Sequence, residues 1–173
     1  MWKTLRILLR PVRMLAGLAT DAASPGHIAW GIALGMLVGL IPKGNLTAWL
    51  LAVLVLATRA NLGAAALSAL VFSWLGMLVD PLTHRLGLAL LTSVTLRPFW
   101  DWLYGLPLMP SMRLHNTVVL GNLLLGLALL LPTYAIALRA VERLRPWVAD
   151  QVERWRLKRH LAAAETVTRW SIR

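Results

Sequence analysis

The 173-residue chain contains no cysteine, which excludes disulfides, thiolate metal sites and a cysteine nucleophile. Acidic side chains are scarce: seven Asp and Glu stand against eighteen Lys and Arg, a formal charge of +11. They form no paired-carboxylate motif of the kind that acid–base chemistry needs. No H-E-x-x-H, phosphate-binding loop or nucleophile elbow is present. His27, His84, His115 and His160 are widely separated, so no metal-ligand spacing arises from them. These absences argue for a non-enzyme that requires neither metal nor cofactor.

What the chain has is apolar mass. Hydrophobic residues make up 58% of it, mean hydropathy is +0.67, and the apolar residues come in long blocks. That pattern points to a membrane protein rather than a soluble core. The basic excess sits mostly at the two ends, where it can meet anionic lipid headgroups. A pI of 11.7 would also suit nucleic acid, but hydrophobicity this high argues against such a partner. Arg6, Arg10 and Arg13 interrupt the region that a cleavable signal would need to keep apolar.

Residues 1–22 read as a basic amphipathic helix lying in the membrane interface. Lys3, Arg6, Arg10 and Arg13 form one stripe, and Trp2, Leu5, Leu8, Leu9 and Val12 form the opposite face. A membrane domain over 23–138 follows. Ser24-Pro25 is a helix start, with serine as cap and proline in the first turn. The helix it opens carries Gly31, Gly35 and Gly39 at four-residue spacing, a smooth stripe for close helix packing.

Pro42-Lys43-Gly44-Asn45 then interrupts two uncharged apolar runs, Ile28–Ile41 and Leu46–Ala57. At the helical rise these runs span about 21 Å and about 18 Å, short of a hydrocarbon core of about 30 Å. Pro42 and Gly44 argue against one continuous helix. A re-entrant hairpin over 25–58, with both ends on one side, fits the lengths; a turn between two crossings is the other reading. Non-helical backbone at membrane depth needs protein or a wet cavity around it, so the hairpin implies such a cavity.

A span is expected over 61–80 and a second over 116–138. Between them, Asp80 as cap and Pro81 in the first turn predict a separate half-helix over 82–95. The proline- and aromatic-rich stretch 97–113 reads as an interfacial loop. From 139 to 173 the chain reads as a cytoplasmic basic amphipathic helix with Val141, Leu144, Val148, Val152 and Trp155 as its seam. Two basic ends place both termini in the cytoplasm and require an even number of crossings. The fold class is therefore all-α: a polytopic helical membrane protein with a re-entrant or broken hairpin, two or more full spans and amphipathic terminal helices.

The series Ser24-Pro25, Ile28-Ala29, Gly31, Ala33, Gly35, Gly39 and Pro42, then Arg59-Ala60-Asn61, then Asp80-Pro81-Leu82-Thr83, resembles the bacterial membrane family catalogued as domain of unknown function 2062. Asn116-Thr117-Val118-Val119-Leu120-Gly121 is similar to the smaller branch of that family, found in bacteria with outer membranes. Asp80 departs from the asparagine of much of the broader family. The resemblance implies a multi-pass inner-membrane protein with a larger envelope protein, encoded nearby, as its partner. It assigns no activity.

Lys43 is the sharpest chemical feature, because a charge deep in a membrane is a functional candidate. Beside the start of the helix near Leu46, Lys43, Asn45 and Thr47 would form a site for an anionic headgroup; the alternative is a lysine snorkelling from an ordinary turn. Asp80, Thr83, His84, Arg85 and Asn122 form a second polar set, in which Asp80 is expected to pair with Lys43 or Arg85 and to relay a proton or gate the cavity; the alternative is a cap at Asp80 and an interfacial anchor at Arg85. The function expected is binding and translocation or hand-over of anionic lipid, a phospholipid or a polyprenyl phosphate, within a cell-envelope complex. The alternative is a non-transporting adaptor that anchors a larger envelope protein, with a homo-oligomer also open.

Overall fold

The structure, a computed structural model, describes residues 24–171. The basic helix expected over 1–22 lies outside them, as do the side chains of Val152 and Trp155. Among the described residues there are six α-helices and no strand: α1 Pro25–Leu40, α2 Leu46–Ala57, α3 Leu62–Leu91, α4 Arg97–Tyr104, α5 Met109–Met112 and α6 Thr117–Ser171. Two of them, α3 and the part of α6 from Thr117 to Gln151, are long and apolar enough to cross a membrane. Ala23–Leu138 forms one compact unit, and the residues from Arg139 onward belong to another.

Local chemistry sets the ends of the first three helices. Ser24 caps α1, its Oγ accepting from the His27 amide at 3.3 Å, with Pro25 at the first position. Pro42 ends α1 by forcing Ile41 into extended geometry (φ −77°, ψ 129°). Gly44 turns the chain at φ +88°, a conformation that an L side chain resists. Asn45 and Asn61 cap α2 and α3 through Oδ1, accepting from Ala48 at 2.8 Å and Ala64 at 2.9 Å. The Asn61 amide also donates to the His27 carbonyl at 2.9 Å. The α1–α2 hairpin therefore returns to the level at which it began.

The glycine stripe packs as its spacing predicts. A Cβ on Gly31 would collide with the Asn61 carbonyl oxygen, one on Gly35 with that of Ala65, and one on Gly39 would lie 2.7 Å from that of Ala69. Both series advance together, so α1 and α3 run parallel. Ser68 Oγ donates to the Ile32 carbonyl at 2.7 Å, adding a polar stitch across the seam. Contact with α1 ends where Leu40 meets Gly76. The hairpin thus reaches about half-way along α3, whose thirty residues measure about 45 Å.

The far half of α3 packs on α6. A Cβ on Gly87 would strike the Thr117 carbonyl, and one on Gly121 that of Thr83. Further along, Gly126 meets Leu37, Thr133 Oγ1 lies 3.1 Å from Met36 Sδ, and Tyr134 packs on Trp30 with the rings tilted by 30° and their centroids 4.6 Å apart. Within Ala23–Leu138, α6 therefore runs antiparallel to α3 and then passes along α1.

Two expectations need correction. No break occurs at Asp80-Pro81: α3 is one helix from Leu62 to Leu91 with Pro81 inside it. Pro81 cannot donate to the Met77 carbonyl. However, the next turn is held by Thr83, whose hydroxyl bonds the Asp80 carbonyl at 3.1 Å and whose side chain is buried. Asn122 engages the Asp80 carboxylate at 2.9 Å, so that side chain is not spent as a cap. A neighbouring helix that secures both sides of a proline lets the helix continue. The stretch 97–113 is likewise not a plain loop, because it contains α4 and α5. Pro98 and Pro110 lie in their first turns, where proline starts helices instead of ending them.

Replacing Gly35 by valine should separate α1 from α3 and destabilise the fold by about 1–3 kcal/mol. Gly76→Ala, whose new Cβ would stand an ordinary 3.4 Å from the Leu40 carbonyl, should be tolerated. Thermal unfolding of the detergent-purified protein checks both, and equal losses would contradict the seam.

Candidate functional site

The turn Ile41–Asn45 does not present Lys43 to the start of α2. Lys43 Nζ folds back and donates to the carbonyls of Val38 at 2.6 Å, Ile41 at 2.9 Å and Gly39 at 3.1 Å. The ammonium thereby neutralises the negative end of α1 and fills the role of a basic C-terminal cap. Asn45 is committed to the turn itself: Oδ1 caps α2 and Nδ2 donates to the Pro42 carbonyl at 2.7 Å. Thr47 is buried, its hydroxyl donating to the Met112 carbonyl at 2.8 Å. The cradle of Lys43, Asn45 and Thr47 expected at the start of α2 is therefore not assembled. Asn45 and Thr47 build the turn and hold α5 over it.

Lys43 instead borders a cleft on the α3 side of the turn. This cavity, of about 180 Å³, is lined by the last turn of α1 and the residues up to Lys43, and by Ser73, Gly76, Met77 and Asp80 of α3. Lys43 and Asp80 share its wall but form no ion pair. Ser73 Oγ donates to the Ala69 carbonyl at 2.7 Å and lies 3.3 Å from that of Gly39, on the same carbonyl that Lys43 uses. The cleft arises because α1 stops at Leu40 while α3 continues, leaving the far turn of α3 without that neighbour.

The second polar set separates. Asp80 and Asn122 come together, and Asn122 is fully buried, with its Oδ1 left without a partner. Thr83 lies buried beside them against Gly121. His84 points elsewhere, its Nδ1 2.6 Å from Thr117 Oγ1, and Arg85 is exposed, with no ion pair to Asp80. Ser73, Gly76 and Met77 were not singled out by the sequence. Their signal is the spacing S73-x-x-G76-M77-x-x-D80, which sets all four on one helical face.

A cover lies over the hairpin tip. Ile41 and Ala48 cluster with Leu114 and Val119, and Leu103, Met109 and Met112 pack against them. The Tyr104 hydroxyl is buried there without a partner, and burial pushes its pKa up from the ordinary phenol value.

No family model matches the chain, and no solved structure matches it. A protein of Treponema pallidum (strain Nichols), described as "Uncharacterized protein", is 30% identical over 128 residues, covering 74% of this chain and 79% of that protein.

Asn45→Ala should cost about 1 kcal/mol through the lost cap, and more if the Pro42 carbonyl is left dry. Asn45→Ser, which keeps an oxygen at the cap, should recover most of it. Chemical or thermal unfolding measures the difference; an alanine variant as stable as wild type would show that the tip is not held this way.

Proposed function

We propose that this chain, which belongs to the same family as the Treponema pallidum protein, is a multi-pass protein of a bacterial inner membrane. In this reading it binds a phosphate-bearing lipid headgroup at the Lys43 cleft and helps translocate it or hand it over. The observation that carries the reading is a cleft walled by Lys43 and Asp80 half-way along a helix long enough to span a membrane.

Several features support a lipid surroundings for that helix. Only 22% of its most apolar stretch is buried within the protein, whereas a soluble core helix would be mostly covered. Trp74, Met77 and Leu78, beside or on the cleft, are 68%, 58% and 77% exposed. A headgroup in the cleft would leave acyl chains against those side chains, and their burial in lipid is favourable. The hairpin is read as re-entrant because its ends meet at Asn61 and His27. Its tip stops while α3 continues for about another 20 Å, and both termini are then cytoplasmic.

The rival reading is an adaptor that holds a larger envelope protein without touching lipid. It rests on the exposed Leu144 and Trp147 of the basic helical stretch after Leu138, an apolar seam that a partner helix could cover.

Two measurements follow. In vesicles loaded with fluorescent phospholipid, the full chain should move lipid between leaflets. Lys43→Ala, which removes the positive charge bordering the cleft, and Met77→Trp, which fills it, should each slow this about tenfold or more, a loss of about 1.4 kcal/mol. Full activity in both variants would remove the site. Separately, single cysteines at positions 43 and 107 of this cysteine-free chain report topology through an impermeant thiol reagent. Position 107 should label only from the far side, and position 43 should not; labelling of both from that side makes the turn an external loop.

A further inference from the structure

We infer that the cleft selects a headgroup carrying an amine as well as a phosphate, of the phosphoethanolamine type. This rests on the lipid-binding reading above and deepens it. A site for a purely anionic headgroup would be walled by cations and donors, and a carboxylate in it would repel the ligand. Here Asp80 lines the same small cavity as Lys43, and the two do not neutralise one another by direct contact.

Asp80 is anchored from outside the cleft, and Lys43 by backbone that in part lines it. Lys43 is held by the carbonyls of Val38, Gly39 and Ile41. Asp80 Oδ1 is held by Asn122 Nδ2 at 2.9 Å, from a residue with no solvent exposure. Orienting a carboxylate with a buried amide leaves its second oxygen able to accept from a ligand. A zwitterion with phosphate and ammonium joined by two carbons matches such a pair in sign, its phosphate drawn toward the charge of Lys43, whose three N–H groups are given to carbonyls, and its ammonium toward Asp80. Both membrane-depth charges are then compensated, which a single anion cannot do. The ammonium must carry N–H groups to hydrogen-bond Asp80, so a trimethylated headgroup fits poorly.

The full-length protein in detergent is equilibrated with an equimolar mixture of phosphatidylethanolamine, phosphatidylglycerol and phosphatidylcholine, and bound lipid is counted by native mass spectrometry. Wild type should retain phosphatidylethanolamine about tenfold over either of the others, the ratio given by one charge-assisted hydrogen bond. Asp80→Asn should erase the preference and Asp80→Glu should restore part of it. Equal retention of all three lipids by wild type, or a preference that survives Asp80→Asn, overturns the amine selection while leaving a phosphate-lipid site standing. Retention of no lipid overturns both. Displacement of the lipid by an equal concentration of soluble phosphoethanolamine would make this a site for the free headgroup and overturn the lipid part. If Asp80→Asn fails to fold, discrimination by wild type between the primary-amine and trimethylated lipids decides alone.

Discussion

Backbone meets backbone along the first half of α3. With glycine at 31, 35 and 39, α1 lies against the carbonyls of Asn61, Ala65 and Ala69, closer than any side chain would allow. In an apolar solvent such contact matters more than in water, because hydrophobic burial gives helices no reason to associate and packing must. The seam also fixes direction. For α1 and α3 to run parallel, the chain between them has to travel back along its own length, and α2 is that return. Hairpin, tip and common starting level all follow from one line of missing side chains.

The second consequence is a difference in length. The α1 helix has sixteen residues and α3 has thirty, so parallel packing from a common base leaves the upper part of α3 uncovered. Part of that gap is filled by α6, through Gly87, Gly121 and the buried Thr83, and part by the cover of α4 and α5 over the tip. Between the end of one seam at Gly76 and the start of the next at Thr83 lies the face that holds Met77 and Asp80. The cleft is therefore a product of the packing, and the polar groups in it sit where two helix interfaces change over.

The sequence made the small-scale features legible. The cap at Ser24, the stop at Pro42 and the glycine stripe are local rules acting on neighbouring residues, and α1 starts and ends where those rules place it; the caps at Asn45 and Asn61 emerged with the structure. Asp80-Pro81 misled because it carries the local signature of a helix start, while the decisive partners, Asn122 and Gly121, lie about forty residues away. The same reason explains Lys43. Its proximity in sequence to the start of α2 suggested a ligand cradle, yet the unpaired carbonyls closing α1 were nearer in space and electrostatically stronger. Ser73 and Met77 became visible only when α1 was seen to stop beside them.

Asp80 also explains why α3 is better continuous than broken. A helix restarting at Pro81 would use the carboxylate as its own cap, aiming it at the backbone amides of the next turn. Continuity frees the side chain, and the fully buried Asn122 turns it instead toward the seam between α3 and α6. The proline costs one backbone hydrogen bond at Met77, on the exposed side of the helix, where bending is least opposed by packing. Thr83 and Gly121 pack closely on the inner side. Broken or continuous, the backbone would cross the same distance; only the continuous form leaves a carboxylate beside the cleft that Lys43 borders.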